Sequence, residues 1–206
     1  MATTNATRSY GPLSISALAA ALAIAAGALA QTPPPAAPNQ APPPAPSAEV
    51  AARAAYLSKL PPFVHWPAAA FDSPAGPLNI CLVGGDPFGP ALDQIVDGQH
   101  VGPHPIAVKR LARFDKGSAC QVLYLGALKG AATAEALSTA RGAPVLTVTE
   151  GERADDPRGM IDLNTQGQRV RLVIDQKAAR RNGLILSSKL LSLTASDRRR
   201  RRGGDG

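Results

Sequence analysis

Residues 78–83, LNICLV, form an almost continuous apolar run between segments of polar or helical character. A strand that is apolar on both faces belongs inside a sheet that is covered on both sides. Further along the chain, strand-like runs alternate with helical patterns, and this alternation predicts an α/β sandwich with a parallel core. The predicted helices are 48–60, 86–98, 130–142 and 176–183, and the predicted strands are 78–84, 104–111, 120–127 and 143–151.

Residues 159–175 contain two further strand-like runs around Gln166 and Gly167. Such a pair predicts a β-hairpin, which would add an antiparallel edge to the parallel core. The first helix, 48–60, has apolar residues on one side and should end where Pro61 and Pro62 interrupt its hydrogen bonding.

The loop after the first strand, GGDPFG, has the composition of a phosphate-binding loop but not its pattern. A dinucleotide fingerprint needs a glycine where Asp86 or Pro87 stands, and a P-loop needs Gly-Lys-Ser or Gly-Lys-Thr where Pro90 and Ala91 follow a glycine. Asp86 instead predicts a helix cap, with Pro87 in the first turn. A helix N-terminus still attracts anions, so a small-ligand site remains an alternative here, with the candidate residues Gly84, Gly85 and Asp86.

Catalytic constellations are missing from the sequence. The histidines at 65, 100 and 104 lack metal-ligand spacing and lie near prolines or glycines, as surface and turn histidines do. Asp155 and Asp156 could pair with Asp162, but the Asp-Asp-Pro sequence equally indicates a turn. Without a convergent acid, base and nucleophile we expect no enzyme, no metal and no cofactor, and an unrecognised hydrolase is the enzymatic alternative.

Both ends of the chain differ in composition from its middle. Residues 1–30 carry one basic side chain, Arg8, before an apolar stretch that ends in Ala-Leu-Ala, which predicts a signal peptide cleaved near Ala30. The alternative is an uncleaved anchor, since a stretch of about 18 residues is near the lower limit for spanning a bilayer. Residues 31–47 form a proline- and alanine-rich linker, 48–196 the folded domain, and 197–206 a disordered arginine-rich tail.

The net charge of +7 comes mostly from the two ends. Setting aside Arg8, the run Arg198–Arg202, Asp197 and Asp205 leaves 16 basic and 13 acidic side chains in the domain. A surplus of three charges creates no strong basic field, and an exported chain does not meet nucleic acid. We therefore expect no nucleic-acid partner.

The chain has two cysteines, Cys81 and Cys120, in segments predicted as strands. In a cytosolic protein a reduced, buried pair would be expected, whereas an even count in an oxidising compartment favours a disulfide. There is no Cys-x-x-Cys motif, so a redox or zinc site has little support.

Five segments carry a resemblance to a known family: AARAAYLSKLPPFVHWP, LNICLVGGDPFG, CQVLYLG, GMIDLNTQGQRVRLVID and AARRNGLILSSKLLSL. In order and spacing they resemble the YfiR family of periplasmic proteins over about residues 49–194. The resemblance implies a single-domain, Rossmann-like α/β fold, a mixed sheet with helices on both faces, without nucleotide chemistry. It also implies a disulfide between Cys81 and Cys120 and a homodimer. The early stop of the first helix at Pro61, the linker and the tail depart from the family pattern.

The resemblance further implies a function in biofilm regulation. The family's named member represses a membrane-bound diguanylate cyclase, so the implied partners are the periplasmic domain of such a cyclase and an outer-membrane lipoprotein that sequesters the repressor. The implied location is the periplasm. The alternative is a periplasmic module that senses a small ligand without a cyclase partner. The candidate partner-binding residues are Phe63, Trp66 and Lys189, although for Phe63 and Trp66 the favoured interpretation is packing of the first helix onto the sheet.

Overall fold

A computed structural model describes residues 46–151, 153, 155–166 and 169–192 of the chain. The predicted signal peptide and nearly all of the predicted linker lie outside these residues, as does the arginine-rich tail. All described residues belong to one compact unit.

The described part of the chain contains nine strands, four labelled helices and a further helical segment at 188–192. The helices are α1 (Ala48–Lys59), α2 (Pro90–Val96), α3 (Gly130–Thr139) and α4 (Gln176–Arg181). The strands are β1 (Val64–His65), β2 (Leu78–Val83), β3 (His100–Val101), β4 (His104–Leu111), β5 (Val122–Tyr124), β6 (Leu146–Thr149), β7 (Ile161–Gln166), β8 (Arg169–Ile174) and β9 (Ile185–Leu186).

Seven strands form one mixed sheet in the order β3-β4-β2-β5-β6-β7-β8. The five central strands are parallel, while β3 and β8 lie antiparallel to their neighbours at the two edges. The remaining strands, β1 and β9, pair antiparallel in a separate ribbon. The predicted Rossmann-like α/β fold, with its parallel core and an antiparallel edge, is thus confirmed.

The apolar run of β2 is buried on both faces of the sheet, as predicted. Leu78, Ile80 and Leu82 join a core cluster with α1 and α2, whereas Cys81 and Val83 join a second cluster with α3. All six residues of β2 are buried. Each large apolar side chain buried in this way contributes roughly 1.5–3 kcal/mol to stability, so β2 anchors both halves of the core.

Helix α1 begins and ends where the sequence predicts. The Ser47 hydroxyl caps it by accepting a hydrogen bond from the Val50 amide at 3.3 Å, and it ends at Lys59, just before Pro61 and Pro62. A short 3-10 turn at Pro61–Phe63 then leads directly into β1.

The predicted start of α2 at Asp86 is wrong. The helix begins at Pro90, after Gly89, which has a φ of 53°. Asp86 instead holds a tight turn, because its Oδ1 accepts hydrogen bonds from the amides of Phe88 and Gly89 at 2.7 and 3.0 Å. Since β5 begins only at Val122, Cys120 lies just before a strand rather than within one.

Candidate functional site

The carboxyl ends of β2 and β5 are where a fold of this topology usually holds a ligand. From β2 the chain crosses first to β4 on one side and later to β5 on the other. In doubly wound sheets, ligands bind in the crevice at this switch point. Gly84, Gly85 and Asp86, the candidate ligand-binding residues, follow β2 at this edge.

On the α3 side this crevice is filled by Leu128. Gly84 has a φ of 82°, and a Cβ added to it would lie 2.1 Å from Leu128 Cδ2. Between Leu128, the start of α3 and Glu150 the remaining cavity is about 10 Å³. Such a volume accommodates about one water molecule and no nucleotide.

On the α1 side the crevice is closed by a hydrogen-bonded group of Arg53, Tyr124 and Glu150. The Tyr124 hydroxyl donates to Glu150 Oε1 at 2.5 Å, and the Arg53 guanidinium donates from α1 to the other carboxylate oxygen. Gly126 makes room for this group, because a Cβ there would lie 2.3 Å from the Tyr124 hydroxyl oxygen. The group thus ties α1 to the ends of β5 and β6.

The charges of this group are fixed by their surroundings. Burial raises the pKa of Tyr124 far above its ordinary value, and the negative charge of Glu150 raises it further. Burial lowers the pKa of Arg53, but the charge and hydrogen bond of Glu150 raise it by more, so its pKa lies above the ordinary value. Tyr124 is therefore neutral and Arg53 cationic at physiological pH, and neither group suits proton transfer at that pH.

Asp86 is also engaged by protein groups. Besides the two amides of its turn, it accepts a hydrogen bond from Arg110 Nε on β4 through Oδ2 at 2.7 Å. Arg110 extends to Asp93 on α2 as well, with Nη1 and Oδ1 3.1 Å apart. The hydrogen bonds to Asp93 and Asp86 raise the pKa of Arg110. A small ligand at Gly84, Gly85 and Asp86 stays a prediction.

At the start of β5 the disulfide and Trp66 contact the sheet. Cys81 and Cys120 form the expected disulfide, with their Cα atoms 5.8 Å apart. The next residue, Gln121, is buried; its side-chain Oε1 accepts from the Asn79 amide at 2.7 Å, and its backbone oxygen accepts from Trp66 Nε1 at 3.2 Å. Trp66 is only 6% exposed. Its position agrees with the packing alternative, and it is not available on the surface.

The other two candidate partner-binding residues lie next to each other beside the β1–β9 ribbon, where Phe63 is partly buried against the main core cluster and Lys189 is exposed. Lys189 Nζ lies 5.7 Å from the centre of the Phe63 ring, and the Phe63 carbonyl accepts a hydrogen bond from the Ser187 amide at 2.9 Å. Ile185, paired with His65, is 64% exposed. We call Phe63, His65, Ile185 and Lys189 the β1–β9 surface.

Sequence reasoning did not single out Ile185, although a signal was present. Leu184 and Leu186 are buried on either side of it, so the apolar run LIL follows strand alternation with an apolar residue at the outward position. Ile185 is the most exposed of the large apolar side chains in the described part of the chain, and we treat it as a further candidate contact residue.

Asp162 and His104 make structural contacts within the domain. Asp162 is buried and its Oδ1 accepts hydrogen bonds from Thr149 Oγ1 and the Gly151 amide, both at 2.8 Å. His104 stacks on Phe71 with 3.6 Å between ring centres, while His65 and His100 lie exposed on strands. In the described part of the chain, no three His, Cys, Asp or Glu side chains are grouped to bind a metal.

Comparison with known proteins agrees with these features. The family model described as YfiR/HmsC-like matches residues 50–195, which is more than half of the chain. No curated protein matches the sequence. Within the described ranges no helix has the length and hydropathy needed to cross a membrane. The chain therefore belongs to the YfiR/HmsC-like family of periplasmic regulators of cyclic di-GMP signalling.

Proposed function

We propose that this protein is a non-enzymatic periplasmic regulator. It binds the periplasmic sensory part of an inner-membrane diguanylate cyclase and holds the cyclase inactive, which lowers the output of cyclic di-GMP. Membership of the YfiR/HmsC-like family is the observation that carries this proposal. Repression of this kind needs only a higher affinity for the inactive state of the partner than for its active state.

The closed switch-point crevice supports a function without nucleotide chemistry. Leu128 fills it from the α3 side, and the hydrogen-bonded group of Arg53, Tyr124 and Glu150 fills it from the α1 side. Binding energy must then come from the outer surface of the domain. This favours recognition of a protein over turnover of a small substrate.

We place the contact with the cyclase on the β1–β9 surface. Ile185 would enter a pocket of the partner, and Phe63 with Lys189 beside it supplies an aromatic ring and a positive charge. Trp66 supports this contact without touching the partner, because its hydrogen bond to the Gln121 carbonyl fixes the segment that carries Phe63 and His65. Such a small aliphatic and aromatic centre with a polar rim is typical of the energetic core of an interface.

A complementation experiment tests both the function and the surface. Deleting the gene in a strain that expresses the neighbouring cyclase should raise cyclic di-GMP and surface attachment. Ile185→Glu should fail to restore repression, since losing a central contact costs about 2 kcal/mol or more, roughly thirtyfold in affinity. Val173→Glu is the matched control, because Val173 is also an exposed strand residue, 47% accessible, on β8.

Two outcomes would count against the proposal. Cyclic di-GMP that stays constant after deletion would reject the repressor function. Full repression by Ile185→Glu, at an abundance equal to the parent protein on an immunoblot, would reject the β1–β9 surface as the contact while leaving the function in place. Co-purification with the cyclase's periplasmic domain would then locate the true contact.

Export, a homodimer and capture by an outer-membrane lipoprotein complete the proposed cycle. N-terminal sequencing of the protein from the periplasm should begin near Gln31, the residue after the predicted cleavage site. Light scattering on the purified protein should give twice the mass of the chain. An intact N-terminus would support the anchor alternative instead.

A further inference from the structure

A second, open cavity lies between α3 and α4, away from the closed crevice. It has a volume of about 410 Å³, within the range of small-molecule sites, and its lining includes Ala140, Arg141, Arg158, Met160, Arg181 and Asn182. We call it the α3–α4 cavity. None of the residues that we propose for partner contact lines it.

The walls of this cavity are held in place by Asn182, the residue after α4. Its side-chain amide donates to the carbonyls of Ala140 and Ala143 at 2.9 and 2.8 Å, at the end of α3. Its Oδ1 accepts from the Gly142 amide at 3.3 Å. One side chain thus ties the end of α3 to the end of α4, and the cavity does not depend on a ligand for its shape.

Three arginines give the cavity a positive charge. Arg141 and Arg181 are exposed, and neither has a carboxylate partner among the described residues. Arg158 is partly engaged, with its Nε 3.6 Å from Asp162. The one acidic side chain in the lining, Asp175, uses Oδ1 to cap α4 through the Ala178 amide at 2.9 Å.

The lining also has an apolar part. Met160 and Ala140 are 4% and 1% exposed and belong to the two core clusters of the domain. Guanidinium groups beside buried apolar side chains suit a ligand in which an oxyanion is attached to a small hydrocarbon or aromatic group. Planar guanidinium groups form paired hydrogen bonds with both carboxylates and phosphates.

We propose that the α3–α4 cavity binds a small organic anion, a carboxylate or a phosphate ester with an apolar body. Arg141 and Arg181 bind the oxyanion, Arg158 stands beside them, and Met160 contacts the apolar part. This site is independent of the proposed regulatory function, because a binding measurement alone tests it.

Titration calorimetry of the purified full chain tests the site with three probes: benzoate, phenyl phosphate and benzyl alcohol. The first two should bind and the uncharged alcohol should not, and the stronger of the two anions identifies the preferred oxyanion. Arg141→Gln with Arg181→Gln should weaken binding by at least about tenfold, since each charge-assisted hydrogen bond contributes about that factor. Arg180→Gln is the matched control, being an exposed arginine of the same helix outside the lining.

Amide shifts in ¹H–¹⁵N spectra provide a second readout, and they should concentrate at the end of α3 and in α4. The proposal is overturned if neither anion binds at millimolar concentration. It is also overturned if Arg180→Gln weakens binding as much as the double variant, because that result would indicate nonspecific charge attraction. Circular dichroism checks that the variants remain folded, and a double variant with native spectra and unchanged affinity would equally reject the site.

Discussion

Replacing Gly84 by alanine tests whether the switch-point crevice is closed by the protein itself. The φ of 82° at Gly84 costs an L-residue about 1–2 kcal/mol. The new Cβ would also lie 2.1 Å from Leu128 Cδ2 and 2.8 Å from its Cγ. Displacing a packed side chain costs about 1–3 kcal/mol. We therefore expect Gly84→Ala to lower the free energy of unfolding by about 2–5 kcal/mol.

A second glycine separates the two contributions. Gly98 has a φ of 67°, and a Cβ added to it would meet no atom within 4 Å. Gly98→Ala should therefore cost only the backbone contribution, about 1–2 kcal/mol. The difference between the two variants measures the contact with Leu128.

A double-mutant cycle completes the test. In a Leu128→Ala background the extra cost of Gly84→Ala should fall to that of Gly98→Ala, because the atoms that the new Cβ meets are gone. Urea denaturation followed by circular dichroism gives the free energies of unfolding, with equal slopes confirming a comparable transition. If Gly84→Ala costs no more than Gly98→Ala, or if truncating Leu128 brings no relief, Leu128 does not occupy the crevice and the argument against a ligand there fails.

Two further predictions concern stability. Replacing Cys81 and Cys120 together by alanine should cost about 4 kcal/mol, because the bridge closes a loop with a sequence separation of 39; equal urea midpoints with and without the disulfide would contradict this. The hydrogen bond from Arg110 lowers the pKa of Asp93, so this pair contributes stability above about pH 4 that is lost as the pH falls through the lowered pKa. Asp93→Asn should thus be less stable than the parent protein at pH 6, and the difference should shrink progressively as the pH falls below about 4.

The central strand and the overall layering followed from local patterns. The run LNICLV predicts burial on both faces, and its alternate residues do divide between the two core clusters. The end of α1 at Pro61 and Pro62 was equally predictable, because proline lacks the amide that a helix requires. Sequence patterns of this kind determine the structure of residues that lie only a few positions away.

What sequence reasoning missed depends on contacts between distant segments. Asp86 has the sequence context of a helix cap. In the structure its second carboxylate oxygen accepts a hydrogen bond from Arg110, 24 residues later, and the helix starts only at Pro90. The β1–β9 ribbon pairs two-residue strands from opposite ends of the domain, so the alternation of Leu184, Ile185 and Leu186 does not by itself reveal the partner strand. Ile185 is exposed because that pairing turns it outward.

In the described part of the chain, the group of Arg53, Tyr124 and Glu150 lies at the carboxyl ends of β5 and β6, an edge where a sheet of this topology commonly holds a ligand. The Arg53–Glu150 ion pair is partly buried and contributes little net stability, because desolvating the charges offsets their attraction. Its effect is geometric: it fixes α1 over the ends of β5 and β6. Since α1 leads through Pro61–Phe63 into β1, the same contacts also set the position of Phe63. The edge that holds a cofactor in related topologies here carries contacts that hold α1 in place, which suits the proposed function of binding a protein partner.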